Sequence, residues 1–478
     1  MKTGLRLTYR SSIFGHRDFE MRRTADNCHR QVSRGSNMRY FNIEEYQNKI
    51  HEKQSATLLV YEGFANNTNE ILKKINVEPC GNEYRDIETA FKYLGVELFR
   101  LLRGEYFIAF GMNNTIYASL GNTFSISIYY YLHKKKIVFC DSIQDIPDLY
   151  NRLQPFERVS YTGDHEQHPV FKDVNMLRYG EYVQFDFCNI DLQSFPMQSP
   201  LNTEVSIFNE EEARRKIFST LSNVIQEKIA NSSRVVVLVS GGIDSSAVAY
   251  LASLYASNLE LYSIGTKKSN EFIYANKIAD YLKLPLHRIC IAEEEYREAL
   301  HNVTQILEHS DSTIIEYMIP EFIAYKHIAR PGDVFLSGYG SDILFGGFNS
   351  KSAFRTSELI LSEFKSVQYS GEMSKRFDDY FSVRTIYPYF DYRFLDLAFS
   401  ISSTLKTRYG IEKYILRKAF ENVLPHCITW RKKIGIHQST GCEDYFTNLV
   451  NQSVHDFSDL RLEKNRLAYK ALVRSIKK

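Results

Sequence analysis

The chain is expected to fold as two domains of different class, an α+β domain over residues 1–200 and an α/β domain with a parallel sheet over residues 201–478. Three observations predict this. At 478 residues the chain exceeds what one hydrophobic core ordinarily serves. Its first part reads as short alternating strands broken by turn residues, and its second as isolated aliphatic strands spaced by long helical patterns, the grammar of βαβ units. The change falls at "MQSPLNTEVSIFNEEEARRK", where Pro, Ser and Asn give way to a strongly charged helix.

In the first part, "EYFIAFGMNNTIYASLG" and "SISIYYYLHKKKIVFCDS" alternate or run β-branched and aromatic around Asn-Asn and His-Lys turns, so each predicts paired strands. "YGEYVQFDFCNIDLQSF" predicts a further strand or hairpin, and "RDIETAFKYLGVELFR" a helix from about Arg85 to Arg100. Downstream, buried strands are expected at Val235–Val239, Leu259–Ile264, His287–Ile291 and Val334–Leu336. No internal repeat or low-complexity segment interrupts this order.

A net charge of +2 argues against a nucleic-acid partner, which needs a concentrated basic surface. The Lys134-Lys135-Lys136 run reads as a solvated hairpin tip. The seven cysteines, at 28, 80, 140, 188, 290, 427 and 442, are scattered and form no CxxC pair. Structural zinc is therefore not expected, and reduced thiols fit best. No apolar run reaches membrane-spanning length, and the N-terminus lacks a secretory apolar stretch, so a soluble cytoplasmic protein without a membrane partner is expected.

The chemistry concentrates at "RVVVLVSGGIDSSAVAYLA", where an aliphatic strand ends in a Gly-rich turn that opens a helix. Glycine lets backbone approach phosphate oxygens, and a helix start presents unpaired N–H groups and positive potential. Ser240, Ser245 and Ser246 add hydroxyls. Asp244 makes sense beside phosphates once a divalent cation bridges them. The turn is neither a GxxxxGK(S/T) loop nor a GxGxxG fingerprint, and Ser240 is not in a GxSxG elbow. A second corner, "GDVFLSGYGSDILFGG", repeats the grammar with Asp342. Two aspartates at the ends of parallel strands would share Mg2+ across one crevice; Asp342 by itself would also serve as a helix cap.

SGGIDSS after an aliphatic strand resembles the pyrophosphate-releasing loop of ATP-dependent enzymes of the asparagine synthetase superfamily. "LYSIGTKKSNEF", "YGIEKYILRKAFENVLPHCI" and "WRKKIGIHQSTG" follow that superfamily's order. "LLRGEYFIAF" and "PVFKDVNMLRYGEYVQFD" look like its N-terminal glutaminase-type domain. The resemblance implies an Ntn-type α+β sandwich followed by an ATP-pyrophosphatase domain. It also implies an N-terminal cysteine for glutamine hydrolysis; here residue 2 is lysine and the first cysteine is Cys28, so an inactive glutaminase-like domain is expected.

Tyr339 in Gly338-Tyr339-Gly340-Ser341-Asp342, with "YSGEM" and "RKKIGIH" downstream, looks like the β-lactam-forming branch, the β-lactam and carbapenam synthetases. That resemblance implies Tyr339 and Glu372 as a proton-accepting pair and Lys433 as stabiliser of the acyl-transfer transition state. It implies ATP binding by Val239, Ser240, Gly241, Gly242, Asp244, Ser245, Ser246, Ile264 and Gly338, with Lys413 on the departing pyrophosphate. Mg2+ would lie on Asp244 and Asp342. The activity implied is adenylation of an amino-acid-derived acid followed by closure of a β-lactam ring, a carbapenam from a carboxymethylproline, by a homo-oligomeric ATP- and Mg2+-dependent ligase. An intermolecular amide ligase, a lasso-type macrolactam cyclase and a non-catalytic scaffold with a vestigial loop remain as alternatives.

Overall fold

A computed structural model of the chain describes residues 57–121, 127–133, 136–161, 167–196, 203–346, 356–370, 375–432, 440–450 and 457–476. The chain divides into two compact units, Met1–Pro200 and Leu201–Lys478. The first contains β1 (Thr57–Ala65), β2 (Gly104–Met112), β3 (Thr115–Leu120), β4 (Tyr129–His133), β5 (Lys136–Cys140), β6 (Asn175–Met176), β7 (Glu181–Asp186) and β8 (Asp191–Pro196). They form two antiparallel sheets, in the orders β1-β2-β3-β7-β8 and β5-β4-β6.

The alternation along β2 explains the layering, because successive side chains of a strand face opposite sides. Phe107 and Ala109 join Tyr130 and Phe139 in a core between the two sheets. Tyr106, Ile108 and Phe110 instead meet Leu72, Ile87 and Phe91 from the helices Thr68–Lys74 and Glu83–Leu94. The β2–β3 turn places Asn113 and Asn114 at φ 52 and 62, the left-handed pair a tight hairpin requires. The helix expected from Arg85 to Arg100 is two helices, Glu83–Leu94 and Glu97–Leu101. Gly95, at φ 57, ends the first by donating its N–H to the Phe91 carbonyl, a break that helical periodicity alone conceals.

In the second unit, β9 (Val235–Leu238), β10 (Leu259–Gly265), β11 (Leu286–Cys290), β12 (Val334–Leu336) and β13 (Arg384–Ile386) form a parallel sheet ordered β11-β10-β9-β12-β13. Val235, Val236 and Val237 are wholly buried, as befits a parallel sheet covered on both faces. On one face Val236, Ile264 and Phe335 pack with Val303, Ile319, Phe322 and Ile323 of the helices Glu293–Leu307 and Ser312–Ile328. β13 was not among the expected strands; its Arg-Thr-Ile carries no period of its own and is a strand by pairing with β12.

The chain leaves β9 toward β10 on one side and β12 lies on the other. That reversal opens a crevice at the carboxyl ends of β9 and β12, the place where open α/β sheets bind ligands. Among the described residues no helix is long and apolar enough to cross a membrane. The six described cysteines are free; Cys28 lies outside the described residues.

Candidate active site

Beyond β9, Val239 stays alongside β10 by donating its N–H to the Tyr262 carbonyl at 2.7 Å. The chain then turns through Gly241 at φ 72. A Cβ there would lie 2.3 Å from the Tyr274 carbonyl carbon, so no larger residue fits. The helix Ile243–Tyr255 starts at Gly242 without a side-chain cap. Its leading N–H groups lack intrahelical partners and face the crevice end of the sheet.

The hydroxyls of this corner mostly knit the turn together. Ser245 Oγ accepts the Ser240 N–H at 3.2 Å, and Ser240 Oγ accepts the Gly242 N–H at 3.3 Å. Ser246 is wholly buried, and its hydroxyl has no hydrogen-bond partner among the described residues. Of the three serines, only Ser240 is more than marginally exposed. Ile264, the penultimate residue of β10, pairs with Ile289 and is buried.

The second corner is packed against the first, backbone on backbone. A Cβ on Gly338 would fall 2.7 Å from the Ser245 nitrogen. Gly340 takes φ 101, and a Cβ there would meet the Phe390 ring at 2.9 Å. Between these glycines Tyr339 is half-buried, its ring edge-on to Tyr387 at 6.3 Å and to Phe390 at 5.9 Å. Asp342 follows in the first turn of the helix Ser341–Phe345.

Lys413 joins the corners. It holds a left-handed φ of 58 at the start of the helix Tyr414–Phe420 and donates its backbone N–H to the Phe345 carbonyl at 3.0 Å. Its side chain is wholly buried. The ammonium lies 2.5 Å from Asp244 Oδ2 and 2.6 Å from Asp342 Oδ1, and donates to Ser341 Oγ at 3.2 Å. Its hydrogen bonds go to Asp244 and Ser341, and Asp342 faces it as the second member of the ion pair. Burial pushes the Lys413 pKa below its ordinary value, and Asp244 pulls it part of the way back. The expected pyrophosphate lysine is thus found between the two aspartates expected to hold metal.

Several residues of the site carry no sequence signal. Tyr389 donates its hydroxyl to the Asp244 carbonyl at 3.2 Å, and burial raises its pKa well above the ordinary value. Arg417, one turn after Lys413, donates to the Glu412, Thr429 and Arg431 carbonyls at 2.9, 2.5 and 2.9 Å; burial lowers its pKa, against the pull of Asp244. Arg431 donates to the Ser240 carbonyl at 2.7 Å, pairs with Glu271, and stacks 3.8 Å over the Tyr274 ring. Only the four-residue spacing of Lys413 and Arg417 could have been noticed beforehand. Glu372 and Lys433 lie outside the described residues.

A magnesium-bound triphosphate fits these residues: glycine-lined backbone, an uncapped helix start, and two carboxylates at the ends of neighbouring strands. Among the described residues no three His, Cys, Asp or Glu side chains gather into a metal cluster. A cation here would take two protein carboxylates and complete its shell with phosphate oxygens and water, the usual habit of Mg2+.

The family profile described as "Asparagine synthase" matches residues 216–376 and 357–477. Over 245 residues the chain is 32% identical to the carboxyethyl-arginine beta-lactam-synthase of Streptomyces clavuligerus, covering 51% of this chain and 48% of that protein. Over 139 residues it is 38% identical to a putative glutamine-hydrolysing asparagine synthetase of Methanocaldococcus jannaschii, covering 29% of this chain and 26% of the other. The chain thus spans about half the length of the first and about a quarter of the second. Among solved structures, the NH3-dependent NAD synthetase of Campylobacter jejuni aligns at 18% identity over 53% of this chain and 96% of that one, with a TM-score of 0.27.

Proposed function

This chain belongs to the asparagine synthase family, and on that premise we propose that it is an ATP-dependent ligase that closes a β-lactam ring within one amino-acid-derived substrate. The observation that carries the reading is the Lys413 ammonium held between Asp244 and Asp342 at the ends of two neighbouring parallel strands. A free carboxylate is a poor acyl donor. Its oxygen attacks the α-phosphorus of ATP, pyrophosphate leaves, and the acid becomes an acyl-adenylate. The substrate's own amine then attacks that carbonyl carbon, the bond to AMP breaks, and the nitrogen gives up a proton.

In this reading the corner from Ser240 to Ser245 receives the phosphates, with Val239 and Ile264 toward the base. Asp244 and Asp342 hold Mg2+, which would neutralise phosphate charge and so ease departure of pyrophosphate. Tyr339, fixed between Gly338 and Gly340, receives the amine proton with Glu372 as its partner. A phenol has an ordinary pKa of about 10 and is protonated at neutral pH, so it accepts the amine proton only by passing its own to an adjacent carboxylate. Lys433 stabilises the tetrahedral oxyanion. Ring closure needs a folded substrate, so positioning supplies much of the rate.

The substrate favoured is a carboxymethylproline, giving a carbapenam. The first unit is read as a glutaminase-like domain, and the enzyme as a homo-oligomer of the cytoplasm. Support comes from the 32% identity to a named β-lactam synthase and from the aromatic setting of Tyr339. The purified protein with ATP, Mg2+ and carboxymethylproline is expected to release AMP in step with ring-closed product. Tyr339→Phe is expected to retain ATP–pyrophosphate exchange while ring closure falls about a hundredfold or more. Equal loss of both steps overturns the role of Tyr339. AMP release that requires a second amine moves the assignment to an intermolecular ligase.

A further inference from the structure

Lys413 occupies the position a divalent cation would need. Its ammonium lies against one oxygen of Asp244 and one of Asp342, and it also donates a hydrogen bond to Ser341. We propose that Lys413 keeps divalent metal out of this site until a polyphosphate is present, so that cation and nucleotide enter together. This rests on reading the crevice as an ATP–Mg2+ site.

The argument is one of charge and confinement. An ammonium and a divalent cation on the same two carboxylates repel each other strongly at this range. For metal to enter, the ammonium must leave. It cannot leave by moving the backbone, because the Lys413 N–H is held by Phe345 and its carbonyl accepts the Arg417 N–H at 2.9 Å. The stem is wholly buried, so a displaced ammonium stays inside the protein. Arg417 nearby is also cationic and buried, and the Glu412 carboxylate that acts on the ammonium is itself partly exposed. Metal entering unaccompanied thus leaves a buried, unpaired cation, a costly outcome.

A triphosphate changes that balance. Its oxygens would accept the ammonium's hydrogens and would supply ligands to the metal at the same time. Each ligand therefore improves the site for the other, and the coupling is reciprocal. Ser341, wholly buried beside the ammonium, is the protein group left to follow it.

Mn2+ binding to the full chain, read by electron paramagnetic resonance, tests this without turnover. Unliganded wild type is expected to bind Mn2+ at least tenfold more weakly than Lys413→Met, while Lys413→Arg behaves as wild type. With a non-hydrolysable ATP analogue, wild type is expected to gain at least tenfold in Mn2+ affinity beyond that of the analogue in solution. Wild type that binds Mn2+ equally well with and without the analogue overturns the inference, whether or not Lys413→Met folds, and leaves the ATP reading standing. Absence of Mn2+ binding by every form, with nucleotide or without, overturns the ATP–metal reading and this inference with it.

Discussion

The two ends of the parallel sheet carry the same charge pattern for different purposes. At the amino ends of β9 and β12, Arg234 lies between Glu260 and Asp333; at their carboxyl ends, Lys413 lies between Asp244 and Asp342. Both cations are buried, but every donor is occupied in Arg234, whereas among the described residues the Lys413 ammonium hydrogen-bonds only to Asp244 and Ser341. Arg234 gives two bonds to Glu260, one to Tyr262 at 3.1 Å, one to the Ile328 carbonyl at 3.2 Å and one to Asp333. That planar fork fixes the edge-to-edge positions of three strands.

The balance of forces differs between the ends. For Arg234 the bond to Glu260 outweighs burial, and its pKa is raised. For Lys413 burial outweighs Asp244, and its pKa is lowered. A point charge on a flexible stem is therefore held at the end where glycine turns and an uncapped helix wait for a ligand. One end is a staple, and the other is a socket. The lesson is that counting ion pairs does not separate structure from function; the number of fixed donors and the cost of burial do.

The largest expected effect breaks the socket. Asp342→Asn is expected to lower substrate-dependent pyrophosphate release about a thousandfold or more while leaving the urea midpoint close to that of wild type. A variant that simply unfolds would assign Asp342 to the fold instead. Next comes the staple. Arg234→Met leaves the buried Asp333 and the half-buried Glu260 without their partner and is expected to cost about 3 kcal/mol in urea unfolding, with turnover per folded molecule unchanged. Adding Glu260→Leu and Asp333→Leu to it is expected to recover most of that loss, because an apolar replacement of a whole buried ionic group is often neutral. Lost turnover in the folded fraction would show that the two ends are coupled.

The smallest effect lies in pH dependence. The hydrogen bond from Arg234 holds the Glu260 carboxyl down at about 2 from its ordinary 4.5. The folded value is the lower one, so this stabilisation is full above about pH 4.5 and is lost as pH falls toward 2. The stability gap between wild type and Glu260→Gln, followed by urea titration, should therefore narrow across that interval. A gap that stays constant would mean the pair contributes nothing through ionisation.

How much of this was legible beforehand follows from the range of each interaction. β9 and the corner after it are local: five aliphatics, two glycines and a helix pattern lie within twenty residues and fold by their own propensities. β12 and Asp342 repeat that grammar and were read for the same reason. The meeting of Lys413 with both aspartates is long-range, and its residue number gave no hint that a left-handed φ would aim it inward. Arg431 reaches Ser240 across nearly two hundred positions, beyond any periodicity. β13 and the break at Gly95 were missed because one is a strand only through its neighbour and the other interrupts a period without changing it. The hydroxyls of Ser245 and Ser246 were read by residue type, whereas their direction is set by the helix that buries them.

The backbone contact between Gly338 and Ser245 has a practical corollary. With Gly338 and Gly340 fixed by close approach on either side, the corner holds Tyr339 in one place, so the frame that grips the nucleotide also sets where the phenol meets the amine. Libraries intended to retune which amine is accepted should therefore randomise the ring neighbour Tyr387, and leave Tyr339 and both glycines untouched.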